Sequence, residues 1–180
     1  MLPVAASYGR GSGESAFCKG IRISFAADEA QRPRGRLAFM SEFVRQPFAW
    51  PVRVYYEDTD AGGVVYHATY LKFMERARTE WLRAKGFVQS ELLREHEVIF
   101  VVRAVQVEYL KPAVFDDLLG VTVRLAGAGR SQMEIAQTVE HAGRGDALAK
   151  GMIKVVCVNG RSFKPVAIPA AIRQQLERES

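Results

Sequence analysis

From residue 52 onward, apolar and polar positions follow a regular period that changes from two to about 3.6 and back. Residues 52–56 alternate β-branched and aromatic residues with polar ones, which predicts a β-strand. One apolar helical face follows, repeating at i, i+4, i+7 and i+11 as Tyr70, Met74, Ala77 and Trp81 and widened by Phe73 and Ala84. We therefore predict a helix over residues 67–85, which Gly86 ends at the C′ position.

The remaining pattern predicts a short helix, four strands and a final helix. A weak helical period covers residues 89–95. Strand-like runs follow at residues 99–110, 118–125, 132–140 and 148–158. A last helix is expected to begin at Pro169, where a missing N–H costs nothing, and to reach about residue 178. The short, turn-rich connections favour antiparallel hairpins, so the element order predicts an α+β fold with one long helix against an antiparallel sheet.

The composition divides the chain near residue 47. Residues 8–15 and 31–36 are rich in glycine, serine, proline and charge. We therefore predict that residues 1–46 are a disordered or weakly ordered extension and that residues 47–180 form the folded domain. Met40 stands just before the folded part, so the first 39 residues are either a genuine extension or an over-called start.

Charge and cysteine content narrow the class of protein. The net charge is +5, but residues 1–47 hold seven Lys/Arg against four Asp/Glu and so contribute +3 of it. A folded basic face is therefore not expected, and nucleic acid is not an expected partner. No apolar run is long enough for a membrane span, and no secretory signal is recognisable. Two distant cysteines, Cys18 and Cys157, form no disulfide framework, which is typical of a reducing cytoplasm.

The residues between the first strand and the long helix carry the most chemistry. Glu57, Asp58 and Asp60 place three acids within four residues, and two glycines follow. The segment leads into a helix N-terminus, whose free N–H groups favour a developing oxyanion. It could therefore supply a carboxylate and an oxyanion site together. The same composition also suits simple helix capping or, less well, a hard cation, so these alternatives stay open from the residues alone.

Other catalytic arrangements are poorly supported. His67, in the first turn of the predicted helix, is either a solvated side chain or a neutral imidazole that orients water or the carboxylate. No G-x-S-x-G elbow is present for a serine nucleophile. The sequence also lacks HExxH and CxxC motifs, so no zinc site is expected.

Residues 50–67 carry a specific resemblance. The run Asp-Thr-Asp-Ala-Gly-Gly-Val-Val-Tyr-His at residues 58–67 closely resembles the 4-hydroxybenzoyl-CoA thioesterase family, in particular its YbgC-type acyl-CoA thioesterases associated with the Tol–Pal system. The likeness continues through residues 73–80 and 100–103 and covers roughly residues 48–178. It implies a hot-dog fold, in which a curved antiparallel sheet wraps around one long central helix.

The resemblance also implies roles for individual residues. Asp60 would be the catalytic carboxylate, which either attacks the thioester carbon or activates water. The backbone N–H of His67 would polarise the thioester carbonyl, with the His67 side chain and Tyr56 as secondary contributors. Asp58 is expected to bond nearby backbone groups instead. The expected substrate-binding residues are Gly63, Val64, Tyr66, Arg130 and Ser131, the last two at the phosphates of coenzyme A.

The resemblance implies no metal or prosthetic group. The expected partners are an acyl-CoA or an acyl carrier protein, which presents the same pantetheine, and a second or further copies of the chain in a homodimer or homotetramer that shares its active site. The acyl group could be short, long or aromatic. Two other functions remain open, an enoyl-thioester hydratase or dehydratase of the same fold and a non-catalytic acyl-carrier or envelope-complex binding module.

Overall fold

The structure, a computed structural model, describes residues 48–177. The predicted extension over residues 1–46 lies outside the described residues. Within them, the elements in chain order are β1 (Ala49–Arg53), α1 (Thr69–Ala84), α2 (Gln89–His96), β2 (Val98–Tyr109), β3 (Leu118–Thr122), β4 (Arg124–Ala128), β5 (Gln132–His141), β6 (Ala147–Asn159) and α3 (Ala170–Glu177).

The strands form one antiparallel sheet, as the short connections predicted. Its order is β1-β3-β5-β6-β2, and β4 pairs with β5 beside this path. The longest pairing joins β2 to β6, from Val98 opposite Asn159 to Tyr109 opposite Ala149. A β-bulge between Val102 and Ala104 interrupts its register. Strand β2 is therefore an outermost strand of the described sheet.

The prediction of a single strand over residues 118–125 was wrong. The strand is interrupted at Val123, whose N–H still donates to the carbonyl of Phe48, the residue before β1, at 2.8 Å. Before this point β3 pairs with both β1 and β5, whereas β4 pairs with β5. Both halves pair with β5 and only β3 also pairs with β1, so the alternation along residues 118–125 carries no local sign of the interruption.

Helix α1 buries the predicted apolar face. Its buried residues include all of that face except Ala84, namely Tyr70, Phe73, Met74, Ala77 and Trp81. The prediction for Ala84 was wrong, because this residue is exposed and Leu82 is buried in its place. The helix begins at Thr69, two residues later than predicted, and Gly86 follows it with a φ of +86° that favours glycine.

Close contact joins α1 to the sheet. A Cβ on Gly151 of β6 would lie 2.9 Å from the Met74 sulfur, so the absence of a side chain there lets the helix approach. Buried Gln137 of β5 donates to the Met74 carbonyl at 3.0 Å and accepts from the Arg78 guanidinium at 2.7 Å. One long helix thus packs on an antiparallel sheet, which confirms the α+β hot-dog fold.

Candidate active site

The segment between β1 and α1 folds into a small hairpin. Thr59 lies opposite Val65 in an antiparallel bridge. The N–H of Asp60 donates to the Val64 carbonyl at 3.0 Å, and the N–H of Gly63 donates to the Asp60 carbonyl at 3.0 Å. The φ of Gly63 is +74°, a conformation that favours glycine. The glycine pair therefore makes the tight turn that brings residues 64–67 back along the acidic residues.

The two aspartates of the hairpin have different surroundings. Asp58 is buried, and its Oδ2 accepts a hydrogen bond from the Tyr55 N–H at 2.9 Å. This confirms its predicted role in loop structure. Asp60 is exposed, and its Oδ1 accepts from the Gly62 N–H at 2.8 Å. Its Oδ2 has no hydrogen-bond partner among residues 48–177, so this oxygen is available to a ligand.

His67 stands at the other end of the hairpin, immediately before α1. The Thr69 N–H donates to the Tyr66 carbonyl at 2.8 Å, which makes His67 a central residue of the turn into the helix. Within the described part of the chain, the His67 N–H donates to no backbone or side-chain acceptor. This free N–H, one residue before the helix N-cap Ala68, is available to bind a partial negative charge. The structure thus carries Asp60 and His67 on the two arms of one hairpin.

An open concavity of about 260 Å³ lies beside His67. Its lining consists of residues from the hairpin, α1 and the end of β2, namely Val65, His67, Tyr70, Tyr109, Leu110, Lys111 and Pro112. Asp60, Gly63, Val64 and Tyr66 do not line it. Sequence reasoning missed Tyr109 and Lys111, because only the pairing of β2 with β6 brings residues so distant in sequence to the start of α1.

Tyr109 fixes the position of His67. Its hydroxyl donates to the His67 carbonyl at 2.8 Å, and the two rings make an edge contact with centroids 6.4 Å apart. The Tyr66 ring lies against the His67 ring at 4.3 Å. Tyr70 packs edge-on to Tyr109 at 5.5 Å, and burial raises the pKa of its phenol, which therefore stays neutral at physiological pH.

Tyr56 lies on the outer side of the hairpin. Its ring stacks on Phe115 at 3.9 Å with an interplanar angle of 12°, and 76% of the residue is exposed. Its hydroxyl has no hydrogen-bond partner within residues 48–177. Tyr56 therefore stands near the hairpin as an exposed aromatic side chain, outside the concavity beside His67.

Arg130 and Ser131 lie at the opposite end of the sheet in the same chain. The Ser131 carbonyl accepts from the Cys157 N–H of β6 at 2.8 Å, and the Arg130 carbonyl accepts from the Ile168 N–H at 2.9 Å. Tyr109, beside His67, pairs with Ala149 of β6. Eight residues separate Ala149 from Cys157, or roughly 26 Å of strand at about 3.3 Å per residue. One chain alone does not bring Arg130 and Ser131 to His67.

No group of three or more His, Cys, Asp and Glu side chains in residues 48–177 is spaced to hold a metal ion. None of the helices in this part of the chain is long and apolar enough to cross a bilayer.

The sequence is similar to known thioesterases. The family model of the thioesterase-like superfamily matches residues 54–176. The acyl-CoA thioester hydrolase YbgC of Escherichia coli is 47% identical over 125 residues, which are 69% of this chain and 92% of that protein. The acyl-CoA thioesterase YbgC of Haemophilus influenzae is 45% identical over 126 residues, covering 70% of this chain and 91% of its own length.

A solved structure extends the likeness to the fold. The crystal structure of a 1,4-dihydroxy-2-naphthoyl-CoA thioesterase from Synechocystis superposes with a TM-score of 0.67 over 72% of this chain and 94% of that one. Its sequence identity of 21% supports the fold alone. Because the family model spans more than half of the chain and the YbgC proteins are matched over nearly their full length, this chain belongs to the thioesterase-like superfamily and, within it, to the YbgC-type acyl-CoA thioesterases.

Proposed function

We propose that this protein hydrolyses acyl-CoA thioesters to a free acid and CoA at the hairpin that carries Asp60 and His67. The observation that carries the proposal is the pairing of an exposed carboxylate, with one unbonded oxygen, and an unbonded N–H at the start of a helix. Thioester hydrolysis needs both groups, since one must deliver an oxygen to the carbonyl carbon and the other must stabilise the oxyanion that forms. The names of the YbgC relatives support the same substrate class.

The thioester carbonyl oxygen would accept a hydrogen bond from the His67 N–H. Asp60 then acts in one of two ways. As a nucleophile it adds to the carbonyl carbon and expels the CoA thiolate, and water hydrolyses the resulting mixed anhydride. As a general base it takes a proton from water, whose oxygen attacks the same carbon, and the C–S bond then breaks to release CoA, which takes up a proton. In both routes the bond from Gly62 holds one oxygen of Asp60 and leaves the other to react.

We further propose that two copies share the site through β2. The middle of this outer strand is exposed, with Val102 at 48% and Val105 at 43% exposure, and long apolar edges of this kind pair readily with another chain. In antiparallel pairing about a two-fold axis, opposite ends of β2 meet. One end lies beside His67, and the other, at Phe100, lies opposite Cys157 and hence near Ser131.

Such a dimer would bring Arg130 and Ser131 of the partner subunit to the level of His67. The guanidinium of Arg130 could then bind the phosphates of CoA, while the thioester reaches the hairpin. A tetramer would be two of these dimers. The same entry route would accept the pantetheine of an acyl carrier protein, and the sparse cysteines support a cytoplasmic location.

A thiol-release assay tests the proposal. Purified full-length protein is incubated with acyl-CoAs of short, long and aromatic acyl groups, and free CoA is measured with a thiol reagent. We expect release above the no-enzyme rate for at least one acyl group. Hydration of crotonyl-CoA without thiol release would identify the hydratase alternative, and binding without either reaction would identify a carrier module.

A further inference from the structure

The segment from Ala113 to Asp117, between β2 and β3, lies along the catalytic hairpin. The Val65 N–H donates to the Ala113 carbonyl at 2.9 Å, and Val114 forms an isolated bridge with Val64. On the helix side, the Ala113 N–H donates to the Tyr70 hydroxyl oxygen at 2.9 Å. The segment therefore contacts the arm of the hairpin that leads, two residues later, to the N–H of His67.

The side chain of Asp117 closes this segment on itself. Its Oδ2 accepts from the Val114 N–H at 3.0 Å, while its own N–H donates to the Val114 carbonyl at 3.2 Å. Its carbonyl accepts from the Val54 N–H at 3.0 Å, which ties the turn to the start of the hairpin. Only 12% of the Asp117 side chain is exposed, so the carboxylate needs these partners.

His141, at the end of β5, supplies the second partner of Asp117. Its Nε2 lies 3.4 Å from Asp117 Oδ1, and 15% of its side chain is exposed. Its Nδ1 accepts from the N–H groups of Gly143 and Arg144, each at 3.1 Å. Because Nδ1 accepts two hydrogen bonds, the proton of the neutral imidazole is on Nε2, the ring nitrogen nearer to Asp117, and the contact between ring and carboxylate is electrostatic.

We propose that Asp117 is a positioning residue for thioester hydrolysis, anchored by His141 and acting through Val114 and Ala113 on the arm of the hairpin that ends at His67. The inference rests on the proposed function of that hairpin. Its physical basis is that an oxyanion donor acts only when it is correctly placed. A displacement of about 1 Å can cost on the order of 10² in rate.

The test compares Asp117→Asn with Asp116→Asn in the full-length protein. The amide that Asp117→Asn introduces cannot keep both the Val114 hydrogen bond and the electrostatic contact with His141, because its uncharged NH₂ group must face either the Val114 N–H or the Nε2–H of His141. We expect kcat to fall about tenfold while KM stays within about twofold. The contact that is lost lies within the segment Ala113–Asp117, which supports the hairpin and is not proposed to touch the substrate. Asp116, whose side chain is 73% exposed, should give near wild-type kcat, and asparagine tolerates its φ of +68°.

A second variant isolates the anchor. His141→Asn keeps an acceptor for the Gly143 and Arg144 N–H groups but removes the donor to Asp117, and it leaves the Asp117–Val114 bond in place. We expect a smaller fall in kcat than for Asp117→Asn. The double variant should be no slower than Asp117→Asn alone, because without the Nε2–H of His141 the new amide can turn its oxygen to the Val114 N–H. Independent, multiplying losses in the double variant would overturn the proposed anchor.

Amide hydrogen exchange separates this inference from the proposed function. Loosening the segment should speed exchange of the Val65 N–H about tenfold in Asp117→Asn and leave it unchanged in Asp116→Asn. This readout needs no substrate, so it decides the positioning role even if the wild-type protein releases no thiol from any acyl-CoA. Unchanged Val65 exchange together with wild-type kcat in folded Asp117→Asn would refute the inference.

Discussion

Replacing Asp60 with asparagine separates chemistry from stability more cleanly than any other change in the hairpin. The side chain is exposed, and its one hydrogen bond within the described residues is accepted from the Gly62 N–H, which an asparagine Oδ1 can accept equally well. The free energy of unfolding should therefore change by no more than about 0.5 kcal/mol. Asparagine has an NH₂ group in place of the second carboxylate oxygen, and this group can neither attack carbon nor take a proton.

The expected loss is in kcat. A positioned general base typically contributes about 10²–10⁴ in rate, and a nucleophile at least as much. We therefore expect kcat of Asp60→Asn to fall by at least about a hundredfold, which corresponds to about 2.7 kcal/mol in the barrier, with KM changed much less. The measurement is thiol release over a range of concentrations of the best acyl-CoA, with thermal unfolding recorded on the same samples.

Asp58→Asn is the matched control, two residues away in the same hairpin. Asp58 is 6% exposed and its carboxylate holds the Tyr55 N–H, so an amide there buries a donor in place of an acceptor. This costs about 1–3 kcal/mol of stability, visible as a Tm lower by several degrees, while kcat of the folded protein stays close to that of the wild type. Near-normal turnover by Asp60→Asn would place the chemistry elsewhere, with the His67 imidazole as the next candidate.

Three further predictions concern the turn beside Asp60, the N-terminal extension and the outer strand β2. Gly62→Ala places a Cβ 3.0 Å from Asp60 Oδ1 and should lower kcat about tenfold, whereas Gly127→Ala, with no atom within 4 Å of its Cβ, should leave kcat unchanged. A chain beginning at Met40 should keep both its thermal unfolding curve and its turnover, and a large loss of turnover with folding intact would show that the extension completes the site. Val105→Lys puts a charge in the exposed middle of β2 and should convert the proposed dimer to monomers in light scattering. An unchanged mass above that of the monomer would exclude this strand as the interface.

The local sequence pattern predicted those parts of the fold that depend on a single helix or strand. The apolar face of α1 is visible in sequence because a single helix buries it, and five of its six predicted members are buried. Gly86 ends the helix for an equally local reason, its positive φ. The break at Val123 has no local signal, since it depends on which strands β3 and β4 pair with.

In the candidate site, too, residues of a local motif were predictable and residues brought together by strand pairing were not. The hairpin residues Asp58 and Asp60 are recognisable from their motif, and the family resemblance gave them their expected roles. Tyr109 reaches the His67 carbonyl only through the register of β2 with β6, which no segment of sequence contains. The contact between Asp117 and His141 was equally unpredictable, because 24 positions, including all of β3 and β4, separate the two residues along the chain.

The opposite surroundings of Asp58 and Asp60 have a consequence for the evolution of the hairpin. Damage at Asp58 is a loss of stability, and stability is shared by the whole domain, so a favourable substitution far away can restore it. In the proposed mechanism, damage at Asp60 is a loss of the reacting oxygen, which no gain in stability replaces. Distant compensating substitutions should therefore rescue variants of Asp58 and never those of Asp60, and lineages can exchange residue 58 while residue 60 stays fixed.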